Sequence, residues 1–447
     1  METPVMKNTR ACFAAMIALG VTTTALGQVH TETMKLLPDD GAELDLFGWA
    51  LDIDNGLIAV SSRSHEHQGN TNRNGAAYIF DLATGTQLHE LLNDNPTSRD
   101  SFGWSIAMSD GMVGVGSPLR TNEAFYLFDA STGSQTNSLS HENSEGSSFL
   151  GESIAIDNGL IAIGAGNSTI NGVYEIGAAY IFDAATGLQT HRLLPDDLQN
   201  TVRFGFSIDI QNNTVVVGSP RENTNQGAVY LFDATTGTKL HRIQRNNPTN
   251  QEQFGSAVAI DGNYVLVGAP NLRLNRAGMG AAYLFDRTTG QQIRRILPSN
   301  RAANDTFGDH VAMHNGLIAI SSRNSLNPGG SVYLFDINGN QIGELTRSDV
   351  VDFSNVGMSL SIAIKNRLIA VGSSAFSPNG ENSGAVYIYD LSCDTDLTND
   401  GDLNFLDISA FLAAYSSQDP IADFEPDGNF NFLDVSAFLA AFAAGCP

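Results

Sequence analysis

A chain of 447 residues, 42% hydrophobic and 16% charged, is long enough for one large domain or two ordinary ones and apolar enough to fold. Its net charge of -25 argues against a nucleic-acid binder, which needs clustered Lys and Arg against phosphate, and fits an outer-surface protein or one that binds cations. The 44 glycines against 14 prolines indicate many tight turns rather than a disordered linker.

The chain opens with a basic patch, Lys7 and Arg10, then a short apolar stretch over residues 11–26, then the small residues Ala25 and Gly27. That order is a secretory signal peptide over residues 1–27, cleaved before Gln28. The stretch is too short and too rich in threonine for a spanning helix, so no transmembrane segment is expected in the mature chain. The protein is expected to be exported, to the extracellular space or the cell surface of a bacterium. Cys12 leaves with the signal, and Cys393 and Cys446 remain, an even pair for which a disulfide is plausible in an oxidising compartment.

Next comes "MKLLPDD", residues 34–40, and its last six letters return almost unchanged as "RLLPDD" at residues 192–197. Between and beyond these lie seven copies of one unit. Five are marked by Phe-Gly at Phe47, Phe102, Phe204, Phe254 and Phe307, and degenerate copies begin at Leu150 and Val356. Each is followed by a Tyr-containing landmark ending in Asp81, Asp129, Asp183, Asp233, Asp286, Asp336 or Asp390, and these aspartates stand 48 to 54 residues apart. Each unit reads as four short strands. "SIAI" and "LIAIG" flank Asp157-Asn158-Gly159, a two-residue hairpin turn; "GAAYIFD" is the third strand; and a fourth follows a glycine turn. Unbroken runs of Ala, Gly, Ile and Val mean strands covered on both faces. Such blades fit a β-propeller, with a linear solenoid as the alternative. The ends of the chain decide for the propeller. The last unit reaches Leu391 without a fourth strand, and "TMKLL" near the start is a fourth strand without the other three. The N-terminal strand is therefore expected to complete blade seven and close the ring over residues 30–391.

Phe254-Gly255 with Gly268-Ala269-Pro270, and "VGSP" at Val115 and Val217, resemble the FG-GAP repeat of integrin α heads and many bacterial surface proteins. The resemblance implies a seven-bladed propeller and says less about function. Many such repeats carry an Asp-x-Asp-x-Asp-Gly calcium loop between their first two strands. Here that loop has shrunk to "DIDNG" or "DNG", so Asp54 and Asp157 read as turn residues rather than ligands. The Asp-x-x-Thr-Gly segments after Tyr230 and Tyr283 are similar to quinoprotein turns but lack the tryptophan those carry, so no pyrroloquinoline quinone is expected.

Catalytic patterns are hard to find. There is no Gly-x-Ser-x-Gly elbow, His-Glu-x-x-His motif, P-loop or sialidase-type box. His89, His191 and His241 occupy equivalent fourth-strand positions and read as solvated residues on separate blades. His310 and His314 share one strand face and read as structural. His65-Glu66-His67 has donors for a metal but no evident further ligand. The longer loops, residues 62–74, 166–176 and 271–280, are expected to emerge on one side of the disc, where a binding face belongs.

After Cys393 the composition changes to ten acidic residues with no Lys or Arg, and a motif is duplicated 27 residues apart. "DLTNDGDLNFLDISAFLAAY" starts at Asp396 and "DFEPDGNFNFLDVSAFLAAF" at Asp423. Each opens as a twelve-residue calcium loop. The oxygens of the first are Asp396, Thr398, Asp400, Asp402 (through its carbonyl), Asn404 and Asp407. Those of the second are Asp423, Glu425, Asp427, Asn429 (likewise), Asn431 and Asp434, and Gly401 and Gly428 stand at the sharp turns. Two bound Ca2+ ions are expected. Asp rather than Glu at the twelfth position resembles dockerin repeats, a calcium loop followed by one helix. The resemblance implies a small helical domain over residues 393–447 and a cohesin-like or envelope protein as partner. It places docking at Phe405, Leu406, Phe432 and Leu433, which serve equally well as the module's own core. The flanking "SCD" and terminal "AGCP" resemble GC-type dockerin-like tails of exported planctomycete proteins. On that resemblance Cys393 and Cys446 clasp the module, or Cys446 is an anchoring or processing site. The function expected is a non-enzymatic binding or adhesion protein held by its tail. The alternatives are a carbohydrate-active or quinoprotein-like propeller enzyme tethered by that tail, and a structural envelope component.

Overall fold

The computed structural model describes residues 28–447 except 67–73, 95–100, 119–123, 141–148, 197, 199–200, 274–277, 301–304, 324–329, 350–360, 377, 393–394, 399–402, 425–428 and 445–447. The expected signal segment, Cys393 and Cys446 all lie outside the described residues.

Small and β-branched residues set the architecture. In blade three, Leu160–Ala165 and Ala178–Asp183 are buried along nearly their whole length, whereas the outer strand Gln189–Leu193 alternates between exposed and covered positions. The same antiparallel order, inner strand to outer strand, recurs in seven sheets. The inner strands stand side by side around an axis, with Ile362–Lys365 of blade seven beside Phe47–Asp54 of blade one. Hairpins with paired positive φ angles join the first two strands, as at Asn158 (48°) and Gly159 (73°).

The ring closes as the sequence implies. Strand β2, Met34–Leu36, pairs antiparallel with Ala385–Asp390, setting Leu36 opposite Val386. One element was not foreseen. Strand β1, Gln28–Thr31, runs parallel to the outer strand of blade six, Gln341–Thr346, so the N-terminal segment covers two adjacent blades.

The Phe-Gly and Gly-x-Pro signatures are two halves of one blade-to-blade joint. The phenylalanine packs edge-on against the Tyr and Phe of its own third strand, as Phe204 does on Tyr230 (5.3 Å) and Phe232 (6.0 Å). The following glycine turns its carbonyl toward the preceding blade, where a serine hydroxyl donates to it. Ser153 donates to Gly205 at 3.0 Å and Ser207 to Gly255 at 2.9 Å, and across the closure Ser361 donates to Gly48 at 2.9 Å. That carbonyl lies flat on the second-strand glycine of the preceding blade. A Cβ at Gly164 would fall 2.1 Å from the Gly205 carbonyl oxygen and 2.1 Å from Ser153 Oγ. Backbone cannot yield there as a flexible side chain can. Gly164→Ala is expected to lower stability by about 2–3 kcal/mol, read as a shift in the urea midpoint at unchanged slope.

The C-terminal segment forms two helices of equal length, α1 (Phe405–Ser417) and α2 (Phe432–Ala444). Their related residues Phe411 and Phe438 stack at 4.0 Å and, with Ala422, form the buried centre. Among the described residues no helix is long and apolar enough to cross a membrane.

Candidate functional site

Because strands alternate in direction, the loop after each second strand leaves the disc at the end where the Phe-Gly turns sit. The described parts of the loops at 62–74, 166–176 and 271–280 therefore share one face. At its centre is a cavity of about 560 Å³ whose lining includes Trp49, Trp104, Glu152, Phe206, Asp309 and Arg323. The two tryptophans, one residue after their Phe-Gly pairs, lean together with ring centroids 5.9 Å apart, and Trp49 Nε1 donates to the Trp104 carbonyl at 3.1 Å. The Arg63 guanidinium lies 3.5 Å from the Trp49 centroid and 4.9 Å from that of Trp104, and burial lowers its pKa.

The remaining wall mixes apolar residues such as Ile154, Ile208 and Val258 with charged and polar ones. Burial pushes the Glu152 carboxyl up, against Arg203 at 4.0 Å and an amide hydrogen bond from Asn167 at 2.8 Å. Asp309 is paired with Arg323, and burial, with the Arg323 charge nearby, pushes the His310 pKa down. Aromatic faces beside fixed donors and acceptors suit stacking and hydrogen bonding to a polar ligand. In the sequence Trp49 and Trp104 follow a Phe-Gly pair rather than the Asp-x-x-Thr-Gly turn, and carry no functional expectation there. Their spacing after two consecutive Phe-Gly pairs is the signal that places both on one mouth.

The opposite mouth serves cohesion. Asp52 accepts from the backbone N–H groups of Ile53 (2.8 Å) and, in the next blade, Met108 (2.7 Å); Asp209 does the same with Ile210 and Ile260. Burial in the narrow channel raises these carboxyls to about 6 and about 7. Asp54 and Asp157 are turn residues that also accept from the next blade's turn, at the N–H groups of Asp110 (3.0 Å) and Asn212 (2.7 Å). The landmark aspartates close Asx turns. Asp233 accepts from the backbone N–H and the hydroxyl of Thr236, and those bonds hold its carboxyl low.

The histidines sort themselves. His89, His191 and His241 each place Nε2 at 2.7–3.0 Å from a carbonyl in the next blade's Asx turn, so they are inter-blade contacts rather than merely solvated residues. The turns end in a glycine at positive φ, 67° at Gly133 and 69° at Gly237, and a Cβ there would also meet the facing imidazole at 2.7 and 2.9 Å. His314 Nδ1 accepts from the Asn366 N–H at 3.2 Å, a structural role. His67 lies outside the described residues, but His65 meets the carboxylates of Asp40, Asp45 and Glu90 from distant parts of the chain.

In the C-terminal segment, Asp400, Asp402, Glu425 and Asp427 lie outside the described residues. Of the first loop, Asp396, Thr398, Asn404 and Asp407 are brought together. The buried Asp407 accepts from Thr398 N–H (3.1 Å), Thr398 Oγ1 (2.8 Å) and Asn404 N–H (2.9 Å), and the Asp396 carboxylate lies 3.4 Å from the same hydroxyl. Burial would raise Asp407, but these hydrogen bonds outweigh it and hold the carboxyl below its ordinary range. In the second loop Asp434 accepts from Asn431 N–H at 2.8 Å, so in each loop the last aspartate bonds back to an asparagine, Asn404 or Asn431, whose own side chain accepts from Leu406 N–H or Leu433 N–H at 2.8 Å; Asn429 and Asp423 lie in the same loop. Two buried carboxylates converging on one hydroxyl form a donor set of hard oxygens that fits a calcium ion. The apolar pairs do not fill the core: Phe405 is 75% exposed, Leu406 57%, Phe432 77% and Leu433 57%.

No curated protein matches the chain. The FG-GAP repeat family model matches residues 30–80, 188–232, 241–285 and 291–335, each match running from one outer strand to the third strand of the next blade, and the first beginning just before β2. The chain carries FG-GAP repeats, folded as a seven-bladed β-propeller.

Proposed function

We propose that this is an exported, non-catalytic binding or adhesion protein. The propeller's Phe-Gly face is its recognition platform, and the C-terminal segment is a dockerin-like module that binds two calcium ions and docks to a cohesin-like or envelope protein. One observation carries the division of labour. Phe405, Leu406, Phe432 and Leu433 stand exposed at symmetry-related positions, while Phe411 and Phe438 fill the core those residues would otherwise supply. Large apolar side chains held at a helix start by buried aspartates are costly in water unless a partner covers them. At the other end, the Trp49–Trp104–Arg63 cluster offers a stacking surface for a glycan or a peptide aromatic.

The test uses the full-length mature protein and a Phe405→Ser/Phe432→Ser variant, mixed with the producing organism's envelope fraction in calcium or chelator. Sedimentation with the envelope is expected only for the unaltered protein in calcium. Equal sedimentation of the variant would move the docking role to the propeller.

A further inference from the structure

At the flank of blade one, three stretches far apart in sequence meet around one imidazole. His65 lies just past the second strand, Asp40 and Asp45 follow the N-terminal strand β2, and Glu90 is on the outer strand. The His65 side chain is only 6% exposed. Its Nδ1 lies 3.0 Å from Asp45 Oδ2, and that aspartate also accepts from the Ala42 N–H at 2.8 Å, so ring and carboxylate orient each other. Among the described residues its Nε2 makes no hydrogen bond; it points between Asp40 Oδ2 at 3.5 Å and Glu90 Oε1 at 3.9 Å. The three ligand atoms all lie within 4.8 Å of one another. Tyr78 donates its hydroxyl to the other oxygen of Asp40 at 3.0 Å, fixing that carboxylate, and burial with the nearby acids keeps the phenol protonated.

The other blades supply an independent comparison. The outer-strand residue paired with the landmark tyrosine is Arg192 in blade three, Arg242 in blade four, Arg295 in blade five and Lys35 in blade seven, but Ser138 in blade two and Glu344 in blade six. In blades four and seven that cation pairs with a carboxylate beside the tyrosine, Arg242 with Glu222 and Lys35 with Asp349 at 2.7 Å. In blade one that register position is Glu90, opposite Tyr78. Among the described residues, Asp40 and Asp45 meet no Arg or Lys. Blade six also has a glutamate at this position, but only in blade one does the acid share the place with a buried imidazole and two further carboxylates among the described residues.

We propose that Asp40, Glu90 and His65 Nε2 form a binding site for a divalent transition metal of the zinc type, with Asp45 as the positioning residue for the imidazole. One imidazole nitrogen with two carboxylates is a borderline donor set, unlike the all-oxygen loops of the C-terminal segment. Ligands about 2.0–2.2 Å from a tetrahedral ion lie roughly 3.4 Å from one another, so small side-chain adjustments close the site. The hydrogen bond from the far ring nitrogen to a carboxylate is the usual support of a metal-bound histidine. Three protein ligands leave a fourth position for water or a ligand atom, and the Asp40 side chain, 44% exposed, keeps that position open to solvent. A bound ion would tie the segment after the closing strand to two other parts of blade one.

The experiment titrates Zn(II) into full-length, metal-stripped protein held in excess calcium, by calorimetry, for the unaltered chain and for His65→Gln, Glu90→Gln and Asp45→Asn. One equivalent is expected to bind the unaltered protein and to be lost in His65→Gln. The affinity is expected to fall about 10- to 100-fold in Glu90→Gln and in Asp45→Asn. Near-ultraviolet circular dichroism checks each fold. Glu90→Gln, on a partly exposed outer strand, carries the test if His65→Gln does not fold. Folded protein that takes up no stoichiometric zinc would overturn the proposal and make His65 a counter-ion to its three acids. Uptake unchanged in both His65→Gln and Glu90→Gln would overturn it equally.

Discussion

Leu36→Ala is expected to destabilise the propeller by about 3 kcal/mol and, unlike the same change in any other blade, to open the ring locally. Leu36 is 1% exposed and packs with Phe47, Tyr78, Phe80 and Ile388, so truncation leaves a cavity among residues of blades seven and one. Each blade has a counterpart. Leu193 opposite Ala179 and Ile243 opposite Val229 hold the same register as Leu36 opposite Val386. The equilibrium cost should therefore resemble that of Leu193→Ala, measured by urea denaturation. The difference lies in connectivity. Leu193 is joined to its blade by the short Asx turn at Asp183, whereas Leu36 reaches blade seven from the opposite end of the chain. Losing one side chain weakens three residues of pairing that no turn restores. Native-state hydrogen exchange should show faster exchange over Met34–Leu36 and Ala385–Asp390 in Leu36→Ala, with no matching change in blade three for Leu193→Ala. Equal local exchange in the two variants would mean that strand β1, on blade six, carries the closure. Substituting Leu36 by aspartate should leave the third strand of blade seven as an unpaired edge and promote aggregation.

The fold was legible because it is written seven times. The spacing of Phe47 from Phe102 and of Asp81 from Asp129 fixes the period, and the displaced "KLLPDD" fixes how the ring closes. Strand β1 was not legible: four residues, "QVHT", carry no alternation, and a parallel pairing with an outer strand has no local signal. The joint roles of His89, His191 and His241 were hidden because their partners are carbonyls in a neighbouring blade, and backbone leaves no mark on the sequence. The carboxylates around His65 come from 25 and 20 residues before it and 25 after it, so inspecting its neighbours in the chain finds none of them. In the tail the loop positions could be counted, but whether Phe405 and Phe432 face inward could not. Two apolar pairs and two apolar helices offer two ways to build one core, and the Phe411–Phe438 stack settles which pair fills it.

Removing calcium is expected to melt α1 and α2 while leaving the propeller folded. Among the described residues the module's fully buried apolar centre is Phe411, Ala422 and Phe438, far less than a domain of this size needs to offset the ordering of its chain. Against that small core stand buried carboxylates: Asp396 is 3% exposed, and Asp407 and Asp434 are fully covered. Buried acids repel one another and must be neutralised or exposed, so with the calcium binding proposed above, ion binding and folding become one equilibrium. At a calcium concentration 100 times the dissociation constant, the ion contributes about 2.7 kcal/mol per site, enough to decide the state of a marginal module. Chelation should therefore remove the helical part of the far-ultraviolet circular dichroism and leave the strand signal and the main thermal transition of the propeller in place. Asp407→Ala should reproduce the loss around α1 even in calcium, because it removes a candidate ligand together with the cap on Asn404 and Thr398. Phe405→Ser should not, since that side chain touches solvent rather than core. Helices that persist unchanged in chelator would make the loops ordinary capping structures, and the docking proposed for the apolar pairs would then lose its calcium dependence as well.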